Sequence, residues 1–480
     1  MWILGAFRNA PSLVVVEFVL SDPPVLTLRP LLFSLAWLLC ATGPAASQTL
    51  SELQSRALAA DPAVRAAEAS SRAAEQRLVQ ARAAFGPTAN VTVSTNQTRY
   101  REQPADELRP FKADQTSFQI SQPLWRGTLI PAMQAAQSQL EQADSALAQA
   151  RVEAQQRLIE SLLETFKARD VLAHASALRE AQREQLASAR RTFQVGRAAV
   201  TDVREAEARV DNAQAQWLAA EAELDLRQQV LVEIAAGPTP DMLTRAVAAE
   251  ALPPLQSGSV AEWLALAEAQ SPQLRQARLA IDAAEAEIRK AALAHAPSVE
   301  LNYSYSKSND TGTVTSVFPR RGVSSVTGAT LSIPLFASGA TQSRVAENIA
   351  LRDKAQSELD LARRTLVIGV RQAFVSTLSA ASQAQALTAS ERSQRLSVRA
   401  NQRGYEVGLK VNIDVLEAQT KLFEVRRDLS RARHEAWAQY FKLRALAGQL
   451  GDVDLQQLQA QLVLHQPSEM GRAPSARGKL

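Results

Sequence analysis

The most regularly placed acidic side chains in the sequence form two pairs, Asp202 with Glu205 and Asp414 with Glu417. Each pair begins six residues after a glycine. A carboxylate at the start of a helix accepts hydrogen bonds from free backbone N–H groups, and an acidic residue three positions later completes a capping box. The chemistry predicted for these residues is therefore helix capping, with Asp202 and Asp414 at the first position of each box.

The two acidic pairs belong to a motif that the chain contains twice, over residues 193–206 and 405–418, at an offset of 212 positions. Glycine in the left-handed conformation commonly ends a helix, so each copy predicts the tip of a helical hairpin. Seven positions match between the two copies. In the first copy they are Phe193, Val195, Gly196, Asp202, Val203, Glu205 and Ala206, and in the second they are Tyr405, Val407, Gly408, Asp414, Val415, Glu417 and Ala418.

Residues for other chemistry are sparse. The 480-residue chain has one cysteine and four histidines, too few for a zinc, haem or iron–sulfur site. The sequence shows no Ser/His/Asp set and no glycine-rich phosphate loop. A net charge of +4 without a basic cluster among aromatics does not favour nucleic-acid binding. The sequence predicts no enzyme, no cofactor, no metal and no nucleic-acid partner.

Apolar residues at helical spacing predict long helices. Leucine and alanine recur every three or four residues over 140–162, which is typical of a coiled-coil seam. One helix is predicted from about Ala132 to Phe193, roughly 95 Å long, with a return helix over 203–235. Helical spacing also covers residues 49–84. Aromatic residues are only 5% of the chain, which favours close helix packing through small side chains.

Alternating sequence predicts strands over residues 90–95, 117–121, 298–306 and 329–335, with a polar loop over 101–115. A half-buried soluble sheet produces the same alternation. In an exported chain, however, two strand pairs with one polar and one apolar face fit a transmembrane β-barrel. Four strands cannot close such a barrel, because the smallest have about eight, so this interpretation requires an oligomer.

The plan of helix, strand pair and helical hairpin is duplicated. Pro62 corresponds to Pro272, and Pro123 corresponds to Pro334 at the predicted strand ends, with offsets that grow from 210 to 212 along the chain. The predicted domains are a first repeat over 48–237, a connector over 238–258, a second repeat over 259–449, and an equatorial stretch with a disordered tail over 450–480.

Residues 1–47 are predicted to be a signal peptide with an N-terminal extension from a mis-assigned start codon. Arg29 precedes the apolar run 31–39, and small residues end at Ser47, where cleavage is expected. A signal anchor is the alternative, although the run is short for a membrane span. Cys40 follows leucines rather than small residues, which argues against a lipoprotein box.

The duplicated tips and the Pro-Leu-aromatic strand ends resemble TolC-like outer-membrane factors, the exit ducts of type I secretion and multidrug efflux, over about residues 48–449. The resemblance implies a homotrimer of mostly α chains in the bacterial outer membrane, each giving four strands to a 12-stranded β-barrel that contacts membrane lipid. A long α-helical coiled-coil barrel would continue it into the periplasm. The implied partners are a periplasmic adaptor protein and an inner-membrane ABC or proton-driven pump.

The resemblance also implies roles for residues at the tips. Asp414 and Glu417 would form an acidic ring at an iris-like gate. Tyr405 with Asp202, and Lys410 with Thr201, would make the contacts that close it. The implied adaptor-docking residues are Val195, Gly196, Arg197, Val407, Gly408 and Leu409.

The sequence leaves alternatives for both the class of protein and its cargo. A periplasmic coiled-coil adaptor, or a structural helical protein without a channel, is the alternative class, although an adaptor would have one helical hairpin rather than two. Cargo is either secreted protein or small molecules. The start of the mature chain at residues 49–53 and the lack of a lipoprotein box favour the type I secretion branch.

Overall fold

A computed structural model describes residues 50–102, 107–196, 199–239, 245–247, 252–253, 259–312 and 318–464. The predicted signal peptide, Arg197 and the predicted tail from Ser468 lie outside these ranges, as does part of the connector.

The first half contains α1 (Leu50–Ala60), α2 (Pro62–Ala83), β1 (Thr88–Glu102), β2 (Glu107–Arg126), α3 (Leu129–Gln194) and α4 (Val200–Ile234). The second half contains α5 (Val260–Gln270), α6 (Pro272–Ala292), β4 (Ser298–Asp310), β5 (Arg320–Ser332), α7 (Ala340–Glu406) and α8 (Asn412–Leu446). Two short strands, β3 (Arg245–Val247) and β6 (Leu462–Leu464), and the helix α9 (Asp452–Gln461) complete the described elements.

The four long strands form one antiparallel sheet in the order β1-β2-β4-β5. β4 and β5 are each 13 residues long, enough to cross a bilayer in a tilted barrel. β2 begins at Glu107, so the predicted loop over 101–115 is wrong for most of its length. Its polar residues indicate a loop, but the backbone of residues 107–115 pairs with β1 across the sheet.

Two helices dominate the chain. α3 has 66 residues and α7 has 67, so each is roughly 100 Å long at 1.5 Å per residue. α2 and then α4 pack along α3, while α6 and then α8 pack along α7. α3 also packs on α6 and on α8, which joins the two halves of the chain and leaves α2, α4 and α7 at the outer sides of the array. No helix in the described ranges is long and apolar enough to be a membrane span.

A dry core surrounds the middle of the long helices. Its largest fully buried side chains include Phe166, Trp437 and Phe441, each 1% exposed, and Trp437 stacks on Phe441 with ring centroids 5.6 Å apart. α9 contributes Leu458 to this core. Within the predicted equatorial stretch, residues 452–464 form α9 and β6.

The helix predicted over 49–84 is two helices. Asp61 ends the first and caps the second, since its carboxylate accepts the N–H groups of Ala63 and Val64 at 2.8 and 3.2 Å. Pro62 occupies the first position of α2, where its missing N–H has no cost. Burial raises the pKa of Asp61, but hydrogen bonds from Arg157 and these N–H groups outweigh it and leave the pKa below its usual value.

Candidate functional site

The tip of each helical hairpin is a left-handed turn at glycine. Gly196 and Gly408 both have φ of +75°, which confirms the sequence prediction. In the second tip, the Gly408 N–H donates to the Tyr405 carbonyl at 3.0 Å and the Leu409 N–H to the Gly404 carbonyl at 2.7 Å. This pair of bonds is a Schellman motif. The Gly196 N–H makes the equivalent bond to Phe193 at 2.9 Å.

The predicted capping positions of the aspartates are wrong by three residues. α4 begins at Val200 and α8 at Asn412, so Asp202 and Asp414 are the third residues of their helices. Asp202 still satisfies a free donor, because its carboxylate accepts the backbone N–H of Ala199 at 3.1 Å. This is the second half of a capping box, whose acidic member lies at this third position.

Asp414 forms an ion pair within its own tip. Its Oδ2 is 3.3 Å from the Nζ of Lys410. The stem of Lys410 passes directly over Gly404, since a Cβ added to that glycine would lie 2.8 Å from the lysine Cγ. The first tip has Thr192 and Ala198 at the matching positions, so it has neither the glycine nor the lysine.

Glu417 differs from Asp414 in its surroundings. It is exposed, and no ion pair to it is found within the described ranges. Its counterpart in the first tip, Glu205, lies 3.5 Å from Arg209 one turn along the same helix. The negative charge at position 417 is therefore the less neutralised of the two acidic charges at the second tip.

One side-chain hydrogen bond joins the two hairpins near their tips. The Gln185 amide on α3 donates to the Asn412 side-chain oxygen at the start of α8. Asn412 is 7% exposed, so the bond is shielded from water on that side. Sequence reasoning missed this pair, although the comparison of the two copies contains a signal, because Val200 occupies the matching position in the first tip.

The first hairpin is clasped near its tip by a shared carboxylate. Glu207 on α4 accepts from Arg190 on α3 at 2.8 Å and from Arg204 at 2.9 Å. These hydrogen bonds, that from Arg190 first, lower the pKa of Glu207. The Arg190–Glu207 ion pair joins α3 to α4, while the Gln185–Asn412 hydrogen bond joins α3 to the second hairpin.

The closing contacts implied by resemblance stay a prediction. Within the described part of one chain, no hydrogen bond links the Tyr405 hydroxyl to Asp202 or Lys410 to Thr201. Tyr405 is half-buried, and Thr201 is exposed. The structure of one chain therefore does not bring these two pairs of side chains together.

The turns expose apolar side chains. Val195 and Val407 are each 69% exposed, and Leu409 is 82% exposed. Exposed apolar residues grouped at one end of a structure commonly mark a contact with another protein.

The strand ends lie at the opposite end of the long helices from the tips. Pro334 follows β5 by two residues, and its carbonyl lies 3.4 Å from the Nδ1 of His295. Pro123 lies inside β2 at an irregularity of register with β4. Leu335 and Phe336 beside this junction are 88% and 86% exposed. In the described ranges, no three His, Cys, Asp or Glu residues are grouped to hold a metal ion.

Long helical hairpins that continue from a small antiparallel sheet are the fold of outer membrane channels. The crystal structure of the CmeC outer membrane channel of Campylobacter jejuni has this fold, with a TM-score of 0.70 and 15% identity over 91% of this chain and 98% of CmeC.

The sequence also has relatives. It is 27% identical over 432 residues to the outer membrane protein TolC of Vibrio cholerae, covering 87% of this chain and 94% of TolC. It is 28% identical over 309 residues to the alkaline protease secretion protein AprF of Pseudomonas aeruginosa, covering 64% of each chain. The profile of the outer membrane efflux protein family matches residues 53–237 and 263–449. The chain belongs to this family, and its location is the bacterial outer membrane.

Proposed function

We propose that the chain is one subunit of a passive homotrimeric exit duct with an acidic periplasmic gate. Such a duct would take substrates from an inner-membrane pump and a periplasmic adaptor to the outside. Family membership supports an export duct, and the names of the relatives include both TolC and a protease secretion protein. The observation that carries the proposal is that one chain has a sheet with two unpaired edge strands and outer helices with exposed apolar residues.

The sheet is open at both edges. β1 and β5 are its outer strands, and every residue of β5 is exposed in the single chain. An open edge pairs readily with another strand, so β5 of one copy would pair with β1 of the next. Three copies of four strands would close a 12-stranded barrel, within the range known for outer membrane barrels.

The helices α7 and α4 likewise expose apolar residues in the single chain. On α7, Leu361, Ile368 and Val375 recur at intervals of seven residues and are 65%, 64% and 60% exposed. On α4, Leu218 and Leu226 are each 51% exposed. A heptad repeat of apolar residues is the pattern of a coiled-coil seam, so the seam of α7 would pack on α4 of the neighbouring copy.

We expect Ile368→Glu to abolish the trimer while the single chain still folds. A carboxylate placed in an apolar helix interface costs several kcal/mol, because it loses water without gaining a partner. Heat-modifiable gel migration and chemical cross-linking of the purified protein would measure assembly. Gln356→Glu adds the same charge to an exposed site about a third of a turn around α7 and should assemble normally. A stable Ile368→Glu trimer would contradict the proposed packing of α7 on α4 of the neighbouring copy.

The exposed apolar tips would be the surface that binds the periplasmic adaptor. We expect Leu409→Asp to reduce capture of an adaptor roughly tenfold in a pull-down from detergent-solubilised cell envelopes. This is the loss expected when a central apolar contact is removed from an interface. Val453→Asp, at a residue of α9 that is 63% exposed, is the matched control. Equal capture by the two variants would place the adaptor elsewhere, and the captured protein would indicate which pump and cargo the duct serves.

A further inference from the structure

The four long strands carry basic side chains near the ends that are far from the helices. Arg99 is on β1, Lys112 on β2, Lys307 on β4 and Arg321 on β5, and all four are exposed in the single chain. The helices α2, α3, α6 and α7 join the sheet at the other end of these strands. We call the four residues the basic rim.

The strand register places the basic rim on the apolar face of the sheet. Residues that pair across neighbouring strands share a face, and so do residues two apart on one strand. The face that carries the rim also carries Val91, Val93, Phe118, Ile120, Leu301, Tyr303, Tyr305, Val323 and Leu331. Over the same part of the sheet, the opposite face is mainly serine, threonine, asparagine and glutamine. The apolar face of a membrane barrel lies against lipid, so the basic rim lies on the lipid side.

The basic rim lies at the edge of the apolar face. Val299 and Leu331 pair with each other near the helices, and Lys307 and Arg321 are eight and ten residues farther along the same strands. At about 3.4 Å per residue and a strand tilt of about 40°, these spacings correspond to heights of roughly 20 and 26 Å. The apolar band of such barrels is about 25 Å tall. The cations therefore lie where the hydrocarbon meets the lipid headgroups.

The positive charge of the rim is neutralised only in part. Lys112 forms an ion pair with Asp114, whose Oδ2 lies 3.1 Å from the lysine Nζ. Among the strand residues whose side chains the structure describes, Asp114 is the one acidic residue on this face. Arg99, Lys307 and Arg321 form no ion pair within the described ranges. The face thus has an excess of cations at its outer edge.

Lys307 and Arg321 are positioned to bind one anionic group together. Lys307 pairs with Val323, and Arg321 pairs with Asn309, so the two cations are diagonal neighbours on adjacent strands. Such neighbours are about 7–8 Å apart, within reach of long side chains. The guanidinium of arginine binds phosphate through two parallel hydrogen bonds, and a lysine adds a point charge. This pair therefore suits a phosphate group.

We propose that the basic rim binds the phosphate groups of lipids in the outer leaflet, with Lys307 and Arg321 as its central pair. Basic side chains beside a membrane attract anionic lipid headgroups, and the rim lies level with those headgroups. The proposal rests on the proposed insertion of the sheet in the membrane, with the helices on the periplasmic side. In the proposed barrel β5 pairs with β1 of the next copy, so Arg99 would contribute to the same lipid-binding surface across the subunit boundary.

Lipid binding to the purified full chain in a neutral detergent tests the rim. The probes are lipid A, a glycolipid with two phosphate groups, and phosphatidylcholine, whose headgroup has no net charge. Native mass spectrometry would measure the dissociation constant of each. We expect the wild type to prefer lipid A. The double variant Lys307→Gln with Arg321→Gln should bind lipid A roughly 25-fold more weakly, about fivefold for each cation, and should bind phosphatidylcholine as before.

Arg320→Gln is the matched control, because it removes the same charge from the neighbouring residue on the polar face of β5. It should bind lipid A as the wild type does, whereas Arg321→Gln should bind it about fivefold more weakly. Equal losses in these two single variants, or a wild type without preference for lipid A, would overturn the proposal.

The same samples separate this proposal from that of the duct. Lys307 and Arg321 belong to one chain, so lipid binding is measured on monomers and trimers alike. A chain that prefers lipid A through these residues but stays monomeric would support the rim and contradict the duct. A trimer without that preference would contradict the rim alone.

Discussion

We expect the double variant Asp414→Asn with Glu417→Gln to lose most of its preference for cations in planar bilayers, with a fall of roughly fivefold in the cation-to-anion permeability ratio and a higher conductance. In a trimer, up to six carboxylates would surround the opening. They would attract cations and raise the barrier for anions. The amide variants keep the shape of the side chains and remove only the charge.

Asp414 and Glu417 are expected to contribute unequally to the cation preference. Asp414 is paired with Lys410 at 3.3 Å, whereas Glu417 is exposed without an ion pair in the described part of the chain. Glu417→Gln alone should therefore change selectivity more than Asp414→Asn. Glu205→Gln, at the matching position of the first tip, is the control. Unchanged selectivity in the double variant would reject the acidic ring.

We expect Asn412→Val to make the channel leaky. The substitution gives the second tip the residue of the first and leaves the Gln185 amide without its partner across the hairpins. Loss of one partner of a shielded hydrogen bond costs about 1–3 kcal/mol, a change of roughly 5- to 150-fold in a two-state equilibrium. Open probability in bilayers and entry of a large antibiotic or dye into cells would measure it.

A second substitution tests whether the hydrogen bond itself closes the tip. The pair Gln185→Leu with Asn412→Val replaces both polar groups by apolar ones, which can be nearly neutral. We expect the pair to be less leaky than Asn412→Val alone. Val200→Ala, at the matching position of the first tip, should behave as the wild type. Normal closure in Asn412→Val would show that the tips are held by other contacts.

Local patterns predicted much of this fold. The heptad seams, the duplicated landmarks and the glycine turns at Gly196 and Gly408 depend on residues close in sequence, and the structure has long helices and left-handed turns at these places. The loop predicted over 101–115 is wrong over 107–115, because strand pairing with β1 outweighs the local preference of the polar residues and Pro110.

The candidate site was predicted less completely, because its contacts join distant parts of the chain. Gln185 and Asn412 are 227 positions apart, and neither has a spacing that indicates the other. The contact of Lys410 with Gly404 depends on a missing Cβ, which composition does not reveal. The aspartates were assigned to the first capping position because each helix begins three residues earlier than the apolar pattern indicates.

The measurement that tests the export duct most directly is single-channel recording of the purified wild-type protein in planar bilayers, with its assembly state determined on the same sample. The account predicts a trimer that inserts and gives a small, cation-selective conductance. A protein that stays monomeric, or a trimer that forms no channel, would contradict it and would favour a helical scaffold instead.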